Sequence, residues 1–156
     1  GYGGSCLPKD LRSLIINSKK FGNYNPKILK EVHNHNKNIF NNIFKNIKRK
    51  IKTKKSKIAV LGLSFKPGTD DVRGSSASKI IDQLIKKGYK NITAHDPISI
   101  KEFSKKYKRL NINYENNLDK LLMKSDNIII VTAWDVYKKK IKGKLINKTS
   151  DLRYIL

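Results

Sequence analysis

A single cysteine, Cys6, leaves this 156-residue chain without any internal disulfide. No basic-then-apolar leader ends at a small-residue cleavage site, so the expected compartment is the reducing cytoplasm. Runs of about 18 apolar residues are missing, which argues against a membrane-spanning helix. Acidic residues are scarce: 12 Asp and Glu stand against 35 Lys and Arg, for a formal charge of +23. Such a charge ordinarily points to nucleic acid or an anionic surface. Here it is spread along the chain, mostly as Lys, and it travels with abundant Asn and Ile. The densest run, Lys48–Lys57, is interrupted only by Ile51, Thr53 and Ser56 and holds no aromatic for base stacking. It reads as a solvated helix end and linker, and no specific nucleic-acid partner is expected. A basic nucleic-acid-binding module built on that run is the alternative from another class. Metal ligands are also few. His33 and His35 point to different faces of a helix, no Cys or carboxylate pair completes a set, and no metal site is expected. His95, beside a predicted strand end, has no partner in sequence that names a role.

What the chain does have is concentrated in its first ten residues, Gly1-Tyr2-Gly3-Gly4-Ser5-Cys6-Leu7-Pro8-Lys9-Asp10. Glycines let a backbone approach a ligand closely, and Pro8 fits the first position of a helix. Cys6 then stands at the positive end of a helix dipole, next to Lys9, and both favour the thiolate. A thiolate in that setting is a candidate nucleophile. Asp10 follows one helical turn after Cys6, so both side chains can face one site.

Leu11, Leu14 and Ile15 recur at helical spacing between Pro8 and Phe21. Gly22–Pro26 breaks the pattern, with Asn25 as expected N-cap and Pro26 at the first helical position. A second helix is predicted from Pro26 to about Ile51. Its stripe of Ile28, Leu29, Val32, Ile39, Phe40, Ile43, Phe44, Ile47 and Ile51 is interrupted by polar residues from Asn34 to Asn38, and so long an amphipathic helix requires a partner surface. From Lys57 the pattern changes. Ile58–Gly62 is a buried parallel strand ending in a loop that reaches Arg73. A helix capped by Ser75, Ser76 or Ser78 carries Ile80, Ile81, Leu84 and Ile85. Asn91–His95 is the next strand, Asp96-Pro97 a turn, Ser99–Tyr107 a helix, and Asn111–Tyr114 a weak strand. Asn117–Met123 is a short helix, Ile128–Val131 a central strand, and Leu145–Asp151 a last edge strand. The fold class is therefore α/β: a long helical N-terminal segment followed by a Rossmann-like, doubly wound parallel sheet.

Ligands of open parallel sheets sit beyond the C-terminal ends of the strands, which places the loop Ser64–Arg73 over the crevice. The loop holds Phe65, the cations Lys66 and Arg73, and the pair Asp70-Asp71. Cations together with free backbone N–H groups make a phosphate site. The acidic pair is expected to make turn and cap bonds rather than to hold a metal.

The first ten residues resemble the catalytic cysteine loop of the nucleotide-sugar 6-dehydrogenases, whose members oxidise UDP-glucose, GDP-mannose or UDP-N-acetylmannosamine. Leu61-Gly62-Leu63-Ser64-Phe65-Lys66-Pro67-Gly68-Thr69-Asp70-Asp71-Val72-Arg73 resembles the nucleotide-binding loop of the same family's C-terminal domain. The resemblance implies that residues 1–54 form the cysteine loop with central, dimerising helices, and residues 55–156 a nucleotide-sugar-binding domain. It assigns Cys6 and Asp10 to catalysis, with Asp10 holding the reacting water or a lysine near the cysteine. Gly1, Tyr2, Gly3, Phe65, Lys66 and Arg153 contact the nucleotide sugar, UDP-glucose being the expected one. Cys6, Lys9 and Arg73 lie by the NAD cofactor, Arg73 reaching its pyrophosphate. The family's Gly-x-Gly-x-x-Gly turn and the helix with its catalytic lysine and asparagine have no match, so the chain reads as a C-terminal fragment that is inactive alone. The alternatives are a GDP-mannose or UDP-N-acetylmannosamine dehydrogenase and a stand-alone, dimerising nucleotide-sugar binder. One departure is local: Arg73-Gly74-Ser75 stands where the family often has Arg-Glu-Ser, which removes a charge near the start of the following helix.

Overall fold

Five short runs pair in parallel in this computed structural model, which describes residues 1–22 and 24–156. They are β1 (Ile58–Leu61), β2 (Ile92–His95), β3 (Asn113–Tyr114), β4 (Asn127–Ile130) and β5 (Thr149–Asp151). The spatial order is β3-β2-β1-β4-β5, so the chain winds outward from β1 to β3 and then crosses to β1's other edge. Leu61 aligns with both His95 and Ile130, which brings the C-terminal ends of the three inner strands level.

Alternation along the strands divides the core, because successive side chains point to opposite faces. Ile58, Val60, Ile92, Ala94 and Ile129 face a cluster covered by α3 (Ser76–Lys86) and α4 (Ile100–Lys106). Ala59, Leu61, Ile128 and Ile130 face a second cluster covered by α5 (Leu118–Lys124) and α6 (Asp135–Lys140). Strands buried on both faces explain the uninterrupted apolar runs in the sequence. Each fully buried Ile or Leu contributes roughly 1.5–3 kcal/mol relative to its exposed state. The doubly wound α/β sheet is present as expected.

Two helices precede the sheet, α1 (Leu7–Gly22) and α2 (Lys27–Lys50). The second half of α2 joins the first cluster through Phe44 and Ile47, followed by Ile51 just past its end. No residue of α1 is buried.

Several local expectations are corrected. Pro26 itself occupies the N-cap of α2, and Asn25 instead accepts a hydrogen bond from the Lys30 ammonium. Among the three candidate serines, Ser75 caps α3, its Oγ accepting from the Ala77 amide at 3.1 Å. The strand expected to be central is so: β4 is buried and lies between β1 and β5. Residues 145–151 are not one strand: α7 (Lys144–Asn147) takes the first part and β5 only the last three residues. Helix α6 was not anticipated, because Val136 and Tyr137 are too few apolar residues to show a period.

The basic run is more engaged than a solvated linker. Lys50 Nζ donates to the Thr149 carbonyl at 2.6 Å, and Lys54 donates to the Lys87 carbonyl while standing 4.0 Å above the Tyr89 ring. No helix among the described residues is long and apolar enough to cross a membrane.

Candidate functional site

The two motif blocks, far apart in sequence, meet in space. Gly4 is buried against the Phe65 ring, where a Cβ would come within 3.0 Å of the ring edge. Its amide donates to the Gly74 carbonyl at 3.5 Å. Gly74 has φ +64°, and a side chain there would meet the Gly4 carbonyl oxygen at 2.6 Å. Glycine is therefore required at 74 on two grounds, conformation and space. Gly74 is thus the point where the loop after β1 receives the loop of residues 1–6.

Asn36 fixes the other side of the cysteine loop. Its Oδ1 accepts from the Tyr2 amide at 2.8 Å, and its Nδ2 donates to the Tyr2 carbonyl at 3.0 Å. The polar interruption in the stripe of α2 thus carries a positioning residue that the sequence reading missed. Its only signal was an amide-rich patch breaking a regular apolar face. Gly1 also shares a cleft of about 290 Å³ with Ile39, Ile43, Asp151, Leu152 and Tyr154. The Asp151 carboxylate turns this segment by accepting from the amides of Arg153, Ile155 and Leu156 at 2.7–3.0 Å. The backbone carrying Arg153 is thereby held near the start of the cysteine loop, while the Arg153 side chain stays exposed.

Cys6 is a free, exposed thiol with its Sγ 3.7 Å from Ser5 Oγ. The Cys6 carbonyl accepts from the Asp10 amide at 2.8 Å, so the residue opens α1 as expected. The Asp10 carboxylate pairs with Lys9 at 3.3 Å, both exposed, and among the described residues no hydrogen bond joins it to the thiol. Lys66 stands with its ammonium 5.5 Å from the Phe65 ring centre and is otherwise open to solvent.

Arg73, 63% exposed at its side chain, forks onto Asp71 with Nη2 2.8 Å from Oδ2 and Nε 3.0 Å from Oδ1. That bond holds the Asp71 carboxyl below its ordinary range, and the Arg73 guanidinium is raised by the same partner, with a smaller contribution from Cys6. Asp71 Oδ1 also accepts from the Arg73 amide at 2.8 Å, the turn bond expected of the acidic pair.

The backbone of the loop is less available than expected. Gly62, Leu63, Ser64 and Phe65 all spend their amides internally, on His95 O, Asp96 Oδ2 (two) and Asp71 O. Asp96, which the sequence marks only as part of a turn, is 3% exposed and also accepts from the Trp134 indole at 3.2 Å. Its neighbour His95 is buried, with Nδ1 3.0 Å from the Tyr137 hydroxyl. Burial lowers the His95 pKa and raises that of Tyr137, so both are neutral near pH 7.

The pattern described as the UDP-glucose/GDP-mannose dehydrogenase family, UDP binding domain, matches residues 59–155. The chain belongs to this family. It is similar to the UDP-glucose 6-dehydrogenase of Rickettsia bellii, at 39% identity over 141 residues that cover 88% of this chain and 32% of the relative. The UDP-glucose 6-dehydrogenase of Haloferax volcanii is 30% identical over 137 residues, 88% of this chain and 31% of its own length. Among solved structures, a UDP-glucose dehydrogenase from Pyrobaculum islandicum superposes with a TM-score of 0.86 at 29% identity, covering 99% of this chain and 35% of that one. A GDP-mannose dehydrogenase from Pseudomonas aeruginosa gives 0.84 at 27%, covering 100% and 37%. The chain therefore spans about a third of the length of the relatives it matches, and it resembles the C-terminal UDP-binding portion of UDP-glucose 6-dehydrogenases.

Proposed function

We propose that the chain supplies the cysteine loop and the nucleotide-sugar-binding part of an NAD-dependent UDP-glucose 6-dehydrogenase. Residues 1–54 are the cysteine loop and dimerising helices, and residues 55–156 the UDP-binding domain. The observation that carries this reading is the contact of Gly4 with Phe65 and Gly74, which sets the nucleophile's loop against the nucleotide's loop.

In this reading Gly1, Tyr2 and Gly3 line the sugar pocket, Phe65 and Lys66 contact the nucleotide, and Arg153 reaches its phosphates from the terminal turn. Lys9 and Arg73 are exposed cations, the first three residues from Cys6 in sequence and the second close enough to feel its charge, a donor set suited to the NAD pyrophosphate. NAD supplies a hydride acceptor for each of two oxidations at the sugar C6. The Cys6 thiolate adds to the aldehyde left by the first, forming a thiohemiacetal. Loss of the second hydride leaves a thioester, and water, held with the help of Asp10, releases the carboxylate and restores the thiol.

A homodimer through α2 fits the same reading. Ile28 and Val32 are exposed on a cleft of about 590 Å³ that also takes in Tyr2, His35 and Ile39, an apolar face next to the sugar pocket.

The test has two arms. In an enzyme carrying this chain with an NAD-binding half, Cys6→Ser should lower conversion of UDP-glucose to the acid by about a thousandfold or more, because a serine there has no activating base. Near-normal turnover would remove Cys6 from catalysis. For the chain alone, a thermal shift with UDP-glucose exceeding those with GDP-mannose and NAD is expected. A shift with NAD only would reverse the assignment of the sheet.

A further inference from the structure

Six hydrogen bonds converge on the buried carboxylate of Asp96. Oδ2 accepts from the amides of Leu63 at 2.7 Å and Ser64 at 3.2 Å, from Ser64 Oγ at 3.3 Å, and from the Trp134 indole at 3.2 Å. Oδ1 accepts from the amides of Ile98 at 3.1 Å and Ser99 at 2.9 Å. These donors come from three places: the turn after β1, the turn after β2, and the segment after β4. A single side chain thus ties together the C-terminal ends of all three inner strands.

The position of the two β1-turn amides gives the contact its meaning. On a sheet of this winding, ligand phosphates gather beyond the strand ends, where the first turn aims its N–H groups. Here those N–H groups meet an internal anion instead. Gly62 and Phe65 spend their amides on backbone carbonyls, so the turn from 62 to 65 offers a ligand no backbone donor. The site is also closed sterically: a Cβ on Gly62, at φ +91°, would come within 2.4 Å of Thr132 Cβ, and Thr132 Oγ1 donates to the Ser64 carbonyl at 2.6 Å. Burial by itself would raise the Asp96 carboxyl. The amides of Leu63, Ile98, Ser99 and Ser64 outweigh that and hold it below the ordinary range, so it is ionised at neutral pH.

We propose that Asp96 is a resident anion occupying the phosphate cradle of this sheet, and that it acts as a positioning residue for Phe65 and Lys66. With the cradle filled, phosphate recognition passes from backbone amides to the exposed cationic side chains Lys66 and Arg153. Phe65 follows directly on the clamped Ser64, so the clamp sets where its ring meets Gly4. The effect on ligand rests on the nucleotide-sugar reading above, whereas the filled cradle does not.

Asp96→Asn and Asp96→Gly variants of this chain, studied by amide NMR with UDP as the ligand, test the proposal. In Asp96→Asn the Leu63 and Ser64 amide protons should move strongly upfield, and UDP affinity should fall about tenfold, the scale of one charge-assisted hydrogen bond. In Asp96→Gly, sodium formate should return both resonances towards their parental positions and recover UDP binding, while sodium chloride at equal ionic strength should not. Trp134, the only tryptophan, gives a second readout through its indole N–H resonance. Leu63 and Ser64 resonances that stay in place in Asp96→Asn would overturn the filled cradle. A folded Asp96→Asn chain that binds UDP as tightly as the parent would overturn the positioning role. Should Asp96→Gly not fold, Asp96→Asn decides both points. A parent chain that binds no UDP would count against the nucleotide-sugar reading alone, and the resonances would still decide the cradle.

Discussion

Ile47 and Ile28 lie on the same helix, yet the first is fully buried and the second is 79% exposed. The divide runs through the molecule. Around the sheet, Val60, Leu61, Ile81, Leu84 and Ile130 have no exposure at all. In α1, Leu14 is 52% exposed and nothing is buried, although its apolar residues keep helical spacing. Both regions obey the same periodic rule; only one has a surface to pack against. Amphipathic patterning thus states that a face will be covered, and not by what. The exposed face of α2 lies beside Gly1 and Tyr2, where the proposed dimer contact would meet it.

Ile129→Ala against Ile28→Ala gives the sharpest form of this comparison. The first opens a cavity in the sheet core and should cost about 2–5 kcal/mol. The second should stay within about 0.5 kcal/mol in this chain, as surface changes usually do. Urea unfolding of the two variants checks this, and equal costs would mean that α2 is covered in solution. A rise in the Ile28→Ala cost with protein concentration would point to a self-associating face.

A smaller effect is expected from acid. The folded Asp96 carboxyl lies below its unfolded value of about 3.9, so its stabilisation is fully present above that pH and is lost as pH falls through the folded value. Unfolding stability followed from pH 6 to pH 3 should show a fall that is reduced in Asp96→Asn. An unchanged fall would assign the acid sensitivity to other carboxylates.

Asn36→Ala tests the seam between the two regions. Losing two hydrogen bonds to Tyr2 should cost about 1–2 kcal/mol and speed hydrogen exchange at the Tyr2 amide. Exchange as slow as in the parent would show that the cysteine loop is held by Gly74 and Phe65 alone. The smallest effect belongs to the basic run. Lys54→Gln should cost about 0.5–1 kcal/mol through the lost Tyr89 contact, with Lys52→Gln near zero as the comparison. Equal values would return the whole run to the solvated linker read from composition.

The sheet was legible in sequence because strands buried on both faces need apolar runs, and Ile58–Leu61 and Ile128–Val131 announce themselves in that way. Residues 144–151 were not, since two short elements in succession leave too few residues for a period. The short helix at 135–140 failed for the same reason. Cys6, Phe65, Lys66 and Arg73 stood out because they sit in wording specific to a family. Asn36 and Asp96 did not: an Asn in a polar patch and an Asp before Pro97 have ordinary local readings, while Tyr2 lies 34 residues from Asn36 and Leu63 lies 33 from Asp96.

Residue types and their order fixed the periodicities, the charge, the lone cysteine and the family wording, all of which are local properties of the chain. The tertiary structure decided which face of a helix has a partner, that Gly74 receives Gly4, and that Asp96 fills the turn after β1. Those outcomes depend on which donors and surfaces distant segments bring within a few ångströms, and short-range spacing carries no record of that distance.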